Sequence, residues 1–557
     1  MMRRILWAFF IGICFQFHAA AEVIRGKVTD EAGRPIRGAI VKAAAGNKAI
    51  SRYTQDDGRY EIRIPAGTYD ISATAYGYRS KHQSKDATQS NEANFLLSSG
   101  VDVMRLSGAD LETFLPDNRE VRLIKQECIA CHNLSNVIKR RGNTAEEWRS
   151  FLPVMVGRYA TDEAPMWSPG VFAALTTGLE KYFASNSPLG SDAEPPSAEQ
   201  INHTKISDAA LSATFREYRI PGDKQVMSHS LAIDPSGTIA WFSEGNVNKI
   251  GRFNVQQETF QSYDVPAPGS GTHTPVVGRD GVVWMALAGH SAMKLVSVDP
   301  ETGRVKAYSW PEQRFPAHTP SFGPTGTLWL SNFAPGEVWS FDPRTQEFRV
   351  HKFPIPLKYP DASTGALELT FGPPAASDRF TGLPAAEVNA WPYHIAEDSK
   401  GTLWFGSLFL GTITSLDPAS GKSKVYQPEG APSTRGIAVD AQDNIWFSNF
   451  HGHRLGRIDA KTREIKEYEL PTKNATGYGV VYEKRTGYLW IADMNGNNIT
   501  QFDPKTGQFV EYPIPTHQAV PRFISVDNDG RVWFTEFFGG NIGVLIPGGV
   551  SGPSASR

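Results

Sequence analysis

Beyond residue 213, short apolar runs alternate with Asp/Gly turns at a period of 42 to 45 residues. One run in each unit carries a tryptophan: Trp241, Trp284, Trp329, Trp404, Trp446, Trp490 and Trp533. The single long interval, Trp329 to Trp404, fits one unit plus an insertion over 357–390. Each unit reads as an apolar strand, a turn, the Trp strand, a third strand, a D-P-x-T-G-like turn and an aromatic strand ending in Pro. Four strands at this period predict propeller blades, seven of them, over 213–550. The last unit runs out near Pro547 without its aromatic strand, while Glu217-Tyr218-Arg219-Ile220-Pro221 stands unused ahead of the first. That strand is expected to close the last blade and remove the open edge.

Upstream the period changes twice. Residues 22–98 alternate with period 2, as in Tyr60-Glu61-Ile62-Arg63-Ile64, between turns at Asp56-Asp57-Gly58 and Pro65-Ala66-Gly67; this predicts a small β-sandwich. Residues 100–185 take helical spacing over 121–127, 145–156 and 169–183, with Thr144 before Glu146-Glu147 as a start signal. An all-α domain is expected there, joined to the propeller by a Pro/Ser/Glu-rich linker over 186–212. The fold class is therefore mostly β: a β-sandwich and an all-α domain ahead of a seven-bladed β-propeller with N-terminal strand closure.

Composition bears on function more than on fold. Lys+Arg 56 against Asp+Glu 58 lacks the basic excess of a nucleic-acid-binding protein. Arg3-Arg4, an apolar run over 5–17 and Ala19-Ala20-Ala21 make residues 1–21 a secretory signal. The mature chain is expected in the periplasm or secreted, and not as an integral membrane protein. With Cys14 in the signal, only Cys128 and Cys131 remain, in Cys128-Ile129-Ala130-Cys131-His132. C-x-x-C-H is the attachment signature of c-type haem: the two thiols form thioethers and His132 ligates iron. One covalent haem c in so small a domain is a relay, which calls for a periplasmic electron-transfer partner.

Aligning the units places His229, His273, His318, Tyr393, Arg435, Tyr478 and Arg522 just before the first strands. A second set, three residues after each Trp, includes Glu244, Asp493 and Glu536. Both sets are expected at the central channel or its rim. The three imidazoles suit acid–base catalysis, and the three carboxylates suit a divalent ion such as Mg²⁺ or Ca²⁺. Asp299, Asp342, Asp417 and Asp503 of the D-P turns read as turn residues.

Three resemblances add to this reading. Residues 22–98, with G-x-V-x-D-x-x-G-x-P, T-x-D-D-G-x-Y and P-x-G-x-Y, resemble the carboxypeptidase regulatory-like domain, which implies a carbohydrate-binding-like accessory sandwich. The stretch from Trp148 to Met155 resembles the W-x-x-x-x-x-x-M pattern of small cytochrome c domains, including those of quinohaemoprotein amine dehydrogenases. It implies Met155 as the distal haem ligand, with Met166 the alternative. Trp-Phe-Ser-Glu, Trp-Phe-Ser-Asn and Trp-Phe-Thr-Glu closely resemble the virginiamycin B lyase (streptogramin lyase) propeller over 213–547. That family opens a cyclic depsipeptide by elimination, using histidines at the propeller mouth and a Mg²⁺ held by acidic residues; His229 and Glu244 match its first-strand His and the acidic end of its W-F-T-E motif. Its acidic residue two positions before the catalytic His is here Met227, Gly271 or Pro316. The favoured expectation is electron transfer coupled to oxidation of a small-molecule, glycan or peptide substrate at the propeller. The alternatives are a metal-dependent carbon–oxygen lyase or hydrolase, and a non-enzymatic binding platform.

Overall fold

The computed structural model describes residues 21–549 apart from 130–132, 139, 141–142, 157–168, 185–186, 188–205, 268, 270, 290–292, 310–316, 333–335, 354–391, 408–410 and 430–432. The signal over 1–20, the insertion over 357–390 and most of the expected linker lie outside the described residues. Among the described residues no helix is long and apolar enough to cross a membrane.

The period-2 segment folds as two sheets. One holds β1 (Ala21–Asp30), β4 (Arg59–Pro65) and β7 (Phe95–Leu97). The other holds β2 (Ile40–Ala45), β3 (Lys48–Tyr53), β5 (Thr68–Thr74) and β6 (Lys81–Asp86). Strict alternation in β4 buries Tyr60, Ile62 and Ile64 and exposes the residues between them. Those side chains meet Ile24, Val41 and Ile71 in the sandwich core.

Between 231 and 513, six antiparallel four-stranded sheets follow one another in chain order among the described residues. The first strand of each touches the first strand of the next. The last sheet's Pro521–Val526 returns to Leu231–Ile233, so the strands ring a common axis. Second strands such as Val283–Leu287 and Leu489–Asp493 are buried throughout, because each lies between two neighbouring sheets. This is why they read as unbroken apolar runs. The final sheet takes Pro521–Val526, Val532–Glu536 and Asn541–Ile546 from the C-terminus and β8 (Thr214–Arg219) from the front of the propeller. The expected strand closure is therefore present. The other edge of β8 is also used: it pairs antiparallel with β3, so one eight-stranded sheet runs from the last propeller sheet into the sandwich. Lys42 of β2 ion-pairs Glu217 of β8 at 2.5 Å across that junction.

An Asp six residues before the Trp ties each of several sheets together. Asp527 accepts from the turn N–H groups of Asp529 and Arg531 at 3.0 Å, and from Trp533 Nε1 at 2.8 Å. Asp440 and Asp398 do the same for Trp446 and Trp404. Asp527→Ala would leave a buried indole N–H, two amides and the buried Arg531 guanidinium without this partner. It is expected to cost about 2–4 kcal/mol, read as a lower urea midpoint of the full chain.

Over 100–185 the expected helices are present among the described residues, but a separate all-α domain is not evident. The segment supplies α1 (Gly108–Glu112), α2 (Arg119–Ile129), α3 (Ser135–Ile138), α4 (Ala145–Val156) and α5 (Pro169–Phe183). α5 packs on α2 and α4, and their buried side chains are continuous with those of the propeller. Leu111, Ile124, Trp148, Leu152 and Leu179 form one buried cluster with Tyr393, Phe450, Tyr478, Met494 and Phe537 of the propeller. The propeller's aromatic end completes the apolar cluster around the helices.

Candidate functional site

The axis site is built by a repeated irregularity. In six of the sheets the register between first and second strands slips at one place: Thr272/Pro275, Ala317/Pro320, Pro392/Ile395, Thr434/Ile437, Gly477/Val480 and Pro521/Ile524. The two residues inside each slip are His273-Thr274, His318-Thr319, Tyr393-His394, Arg435-Gly436, Tyr478-Gly479 and Arg522-Phe523. A bulge bends its strand and redirects side chains; repeated around a ring, it turns one residue per sheet inward. His229-Ser230 hold the equivalent place ahead of Leu231–Ile233.

The Ser two residues after the Trp supports this backbone. Ser243 Oγ accepts from His229 N at 2.8 Å, Ser331 Oγ from Thr319 N at 3.0 Å and Ser448 Oγ from Gly436 N at 3.0 Å. The motif supplies the acceptor that a bulged amide lacks in the ladder. Gly436 and Gly479 are fixed by crowding: a Cβ would lie 2.6 Å from the carbonyl oxygens of Tyr478 and Arg522 respectively.

The result is a buried ring of imidazole, phenol and guanidinium groups. His229 and His273 have ring centroids 3.6 Å apart, His273 and His318 4.3 Å, and His318 and Tyr393 4.0 Å. Each histidine is followed by a hydroxyl that meets its own Nδ1: Ser230 at 2.7 Å, Thr274 at 2.9 Å and Thr319 at 2.7 Å. Arg435 donates to Tyr393 OH at 2.9 Å; Tyr393 OH bonds Tyr478 OH; Tyr478 OH lies 3.1 Å from His229 Nε2. This run of bonds starts at a guanidinium, which can only donate. When each hydroxyl passes its proton onward, His229 Nε2 is the acceptor. Arg435 also lies over the rings of Tyr393, Phe450 and Tyr478, and Arg522 sits 3.7 Å over Phe537.

Burial dominates the electrostatics. It holds His229 and His318 well below the usual imidazole range, with neighbouring imidazoles and the arginines adding to the effect, and pushes His273 down to about 3. All three are neutral at pH 7. His394, the second residue of its bulge, is likewise buried and held down by burial and then Arg435, with its ring 4.4 Å from Phe523. Sequence alignment took one residue per unit and so missed His394 and Phe523. The signal was present: both follow an aligned residue, where Thr274 and Thr319 follow theirs.

The carboxylates go elsewhere. Glu244 accepts from Ser262 Oγ at 2.6 Å. Asp493 accepts from Thr476 N and Gly496 N at 2.9 Å, and burial raises it to about 6. Glu536 accepts from Asn541 at 2.6 Å and is raised by burial and the adjacent Glu217. Each sits where its second strand turns into the third, and its oxygens serve that sheet. Among the described residues the three do not converge, whereas His229, His273 and His318 do: one ring nitrogen of each lies within 4.8 Å of those of the other two. Of the haem set, Cys128 is buried near the end of α2. Met155 lies in α4, with its side chain outside what is described. Cys131, His132 and Met166 lie outside the described residues.

A mostly β chain with a ring of propeller sheets and an imidazole-lined axis is the class defined so far. Comparison with known proteins adds the relationship. The Virginiamycin B lyase family pattern matches residues 379–551 and the Carboxypeptidase regulatory-like domain pattern matches 23–98. The chain thus carries a virginiamycin B lyase-like propeller and a carboxypeptidase regulatory-like domain. The virginiamycin B lyase of Nocardia farcinica (strain IFM 10152) is 34% identical over 88 residues, 14% of this chain and 27% of that protein, so the match spans about a quarter of the relative's length. Among solved structures, a streptogramin B lyase aligns with TM-score 0.50 at 20% identity, over 61% of this chain and 99% of that one, a likeness of fold. The Staphylococcus aureus virginiamycin B lyase aligns with TM-score 0.49 at 19% identity, over 60% and 99%.

Proposed function

We propose that this chain is an exported, haem-linked oxidoreductase built on a seven-bladed propeller. Its reaction site is the imidazole ring at the axis. Cys128, Cys131 and His132 would hold haem c, with Met155 or Met166 as the further candidate iron ligand. The donor set suits that group: two thiols three residues apart, the first buried near a helix end, with an imidazole directly after the second. Bound there, haem supplies one-electron transfer to a periplasmic partner. The observation that carries the reading is the shared core, because helices α1–α5 pack on Tyr393, Phe450, Tyr478 and Phe537, the residues that frame the imidazoles.

The chain's own groups divide the remaining work. The neutral His229, His273 and His318 accept protons or donate lone pairs. Tyr478 and Tyr393 connect His229 to Arg435 and hold its tautomer. Buried aromatic rings around the two guanidiniums exclude water, which strengthens each interaction with a bound anion.

A second reading, a carbon–oxygen lyase working by proton abstraction, is favoured by the family match over 379–551 and by imidazoles held unprotonated. The geometry gives no support to its Mg²⁺ or Ca²⁺ on Glu244, Asp493 and Glu536, since each carboxylate serves its own sheet.

Anaerobic spectra of the haem-loaded full chain separate the two. Candidate small-molecule, glycan and peptide substrates are added, and the expected result is haem reduction by one of them. His273→Ala should abolish that reduction while dithionite still reduces the haem. A chain without covalent haem, or a haem that stays oxidised while a substrate is converted to an unsaturated product, overturns the proposal; the latter establishes the lyase.

A further inference from the structure

We infer that His229, His273 and His318 form a tri-imidazole site for a first-row transition ion such as Zn(II), Co(II) or copper, independent of the haem and absent from the lyase-like picture of the propeller. Three observations carry it. First, one nitrogen from each ring lies within 4.8 Å of those of the other two, and the groups come from three consecutive sheets. Tetrahedral Zn–N bonds of about 2.0–2.1 Å place ligand nitrogens roughly 3.4 Å apart, so a small inward adjustment completes the set. The stacked His229 and His273 rings, 3.6 Å apart, must splay for it.

Second, the tautomers are prepared. Ser230, Thr274 and Thr319 meet the three Nδ1 atoms, so Nε2 is the ligand atom to expect, and at His229 the ion takes the place of the Tyr478 hydroxyl 3.1 Å away. A hydrogen-bonded far nitrogen is the usual companion of a metal-bound imidazole. The H-S, H-T, H-T repeat is more than ring packing requires. His394, which is followed by Ile395 rather than a hydroxyl, stands outside the group.

Third, the ligands are neutral and of the right kind. Three imidazoles, His229 and His318 buried and His273 half-buried, with no converging carboxylate among the described residues, select a borderline ion over Mg²⁺ or Ca²⁺, which demand oxygen. Three protein ligands leave a coordination position open. Arg435 and Arg522 both act on His318, and Arg522 on His229 and His273. Their charge favours an anionic ligand, such as a carboxylate, at that position.

The test uses the full chain, stripped with a chelator and titrated with Co(II). The expected result is one Co(II) per chain with the visible bands of a nitrogen-ligated, four- or five-coordinate ion, displaced by Zn(II). His273→Ala should lose binding. Should that variant misfold by circular dichroism, Thr274→Val and Thr319→Val serve instead. Each keeps the side-chain shape and should weaken Co(II) binding about 10–100-fold with the haem spectrum unchanged. No Co(II), Zn(II) or Cu(II) retained by folded wild-type chain, or affinity unchanged in the threonine variants, overturns the inference. Since non-haem metal is what is counted, failure here leaves the haem reading standing, and a haem-free chain that binds Co(II) keeps this one.

Discussion

Acidification of the metal-free chain from pH 7 to about 5.5 is expected to remove roughly 3 kcal/mol of stability, and the loss should steepen below that. His229, His318 and His394 are held well below the usual imidazole range by burial, and His273 is pushed down to about 3. In the unfolded chain all four titrate near 6.5. The unfolded state therefore takes up protons first. The stability these groups confer is complete above pH 6.5 and is lost as pH falls through 6.5 toward the folded values. Each contributes about 1.4 kcal/mol per pH unit, so four give on the order of 5 kcal/mol by pH 5.5.

Buried carboxyls oppose them; among these Glu536, also raised by burial, is offset by the buried His517, pushed down to about 4. Burial raises Glu112 to about 7 and Asp493 to about 6, so the folded state regains stability as these are protonated, about 2 kcal/mol over the same interval. The four histidines outweigh them, although Glu112 and Asp493 go on returning stability below pH 5.5 until the unfolded carboxyls are themselves protonated near pH 4. Urea midpoints at a series of pH values should fall steeply between pH 6 and 4.5, and His273→Gln should shed about one proton of that slope. A midpoint flat from pH 7 to 5 would show the imidazoles to be charged or solvated, and would remove the basis for the axis site.

Much of this was legible in the sequence, for identifiable reasons. The Trp period and the missing last strand exposed the propeller and its closure, because a strand buried on both faces leaves an apolar run and an absent strand leaves a gap. The histidines were found because each heads a repeat. What stayed hidden depends on register and on long-range pairing. A bulge sets two adjacent residues against one across the pair, so alignment that takes one residue per unit passes over His394 and Phe523. Glu244, Asp493 and Glu536 occupy equivalent positions, but equivalence around a ring places them at separate turns rather than together. The pairing of β3 with β8 leaves no trace in either strand, since an edge with a partner and an edge in water carry the same backbone.

Gly108→Val is expected to lift the helical segment from the propeller and lower the stability of both, by about 3–5 kcal/mol. A Cβ at Gly108 would lie 1.9 Å from Asn495 Oδ1 and 3.0 Å from the Leu134 amide. Asn495 has little freedom to retreat: its Nδ2 donates to Glu112 at 2.5 Å and to the Asn474 carbonyl at 3.0 Å, and its own carbonyl accepts from Ala109 N at 3.0 Å. Displacing α1 would break those bonds along with Asn474 to the Ala109 carbonyl, and would wet Phe450, Tyr478 and Phe537. Limited proteolysis should then cut within 100–185, and the urea midpoint followed through propeller tryptophans should fall with it. A helical domain on a free linker would behave differently: the helices would become labile while the propeller midpoint held. That outcome would dissolve the shared core, and with it the case for electron transfer between haem and axis. A joint loss would make the helices a structural lid on the imidazole site, so that whatever reacts there does so under the segment that bears Cys128.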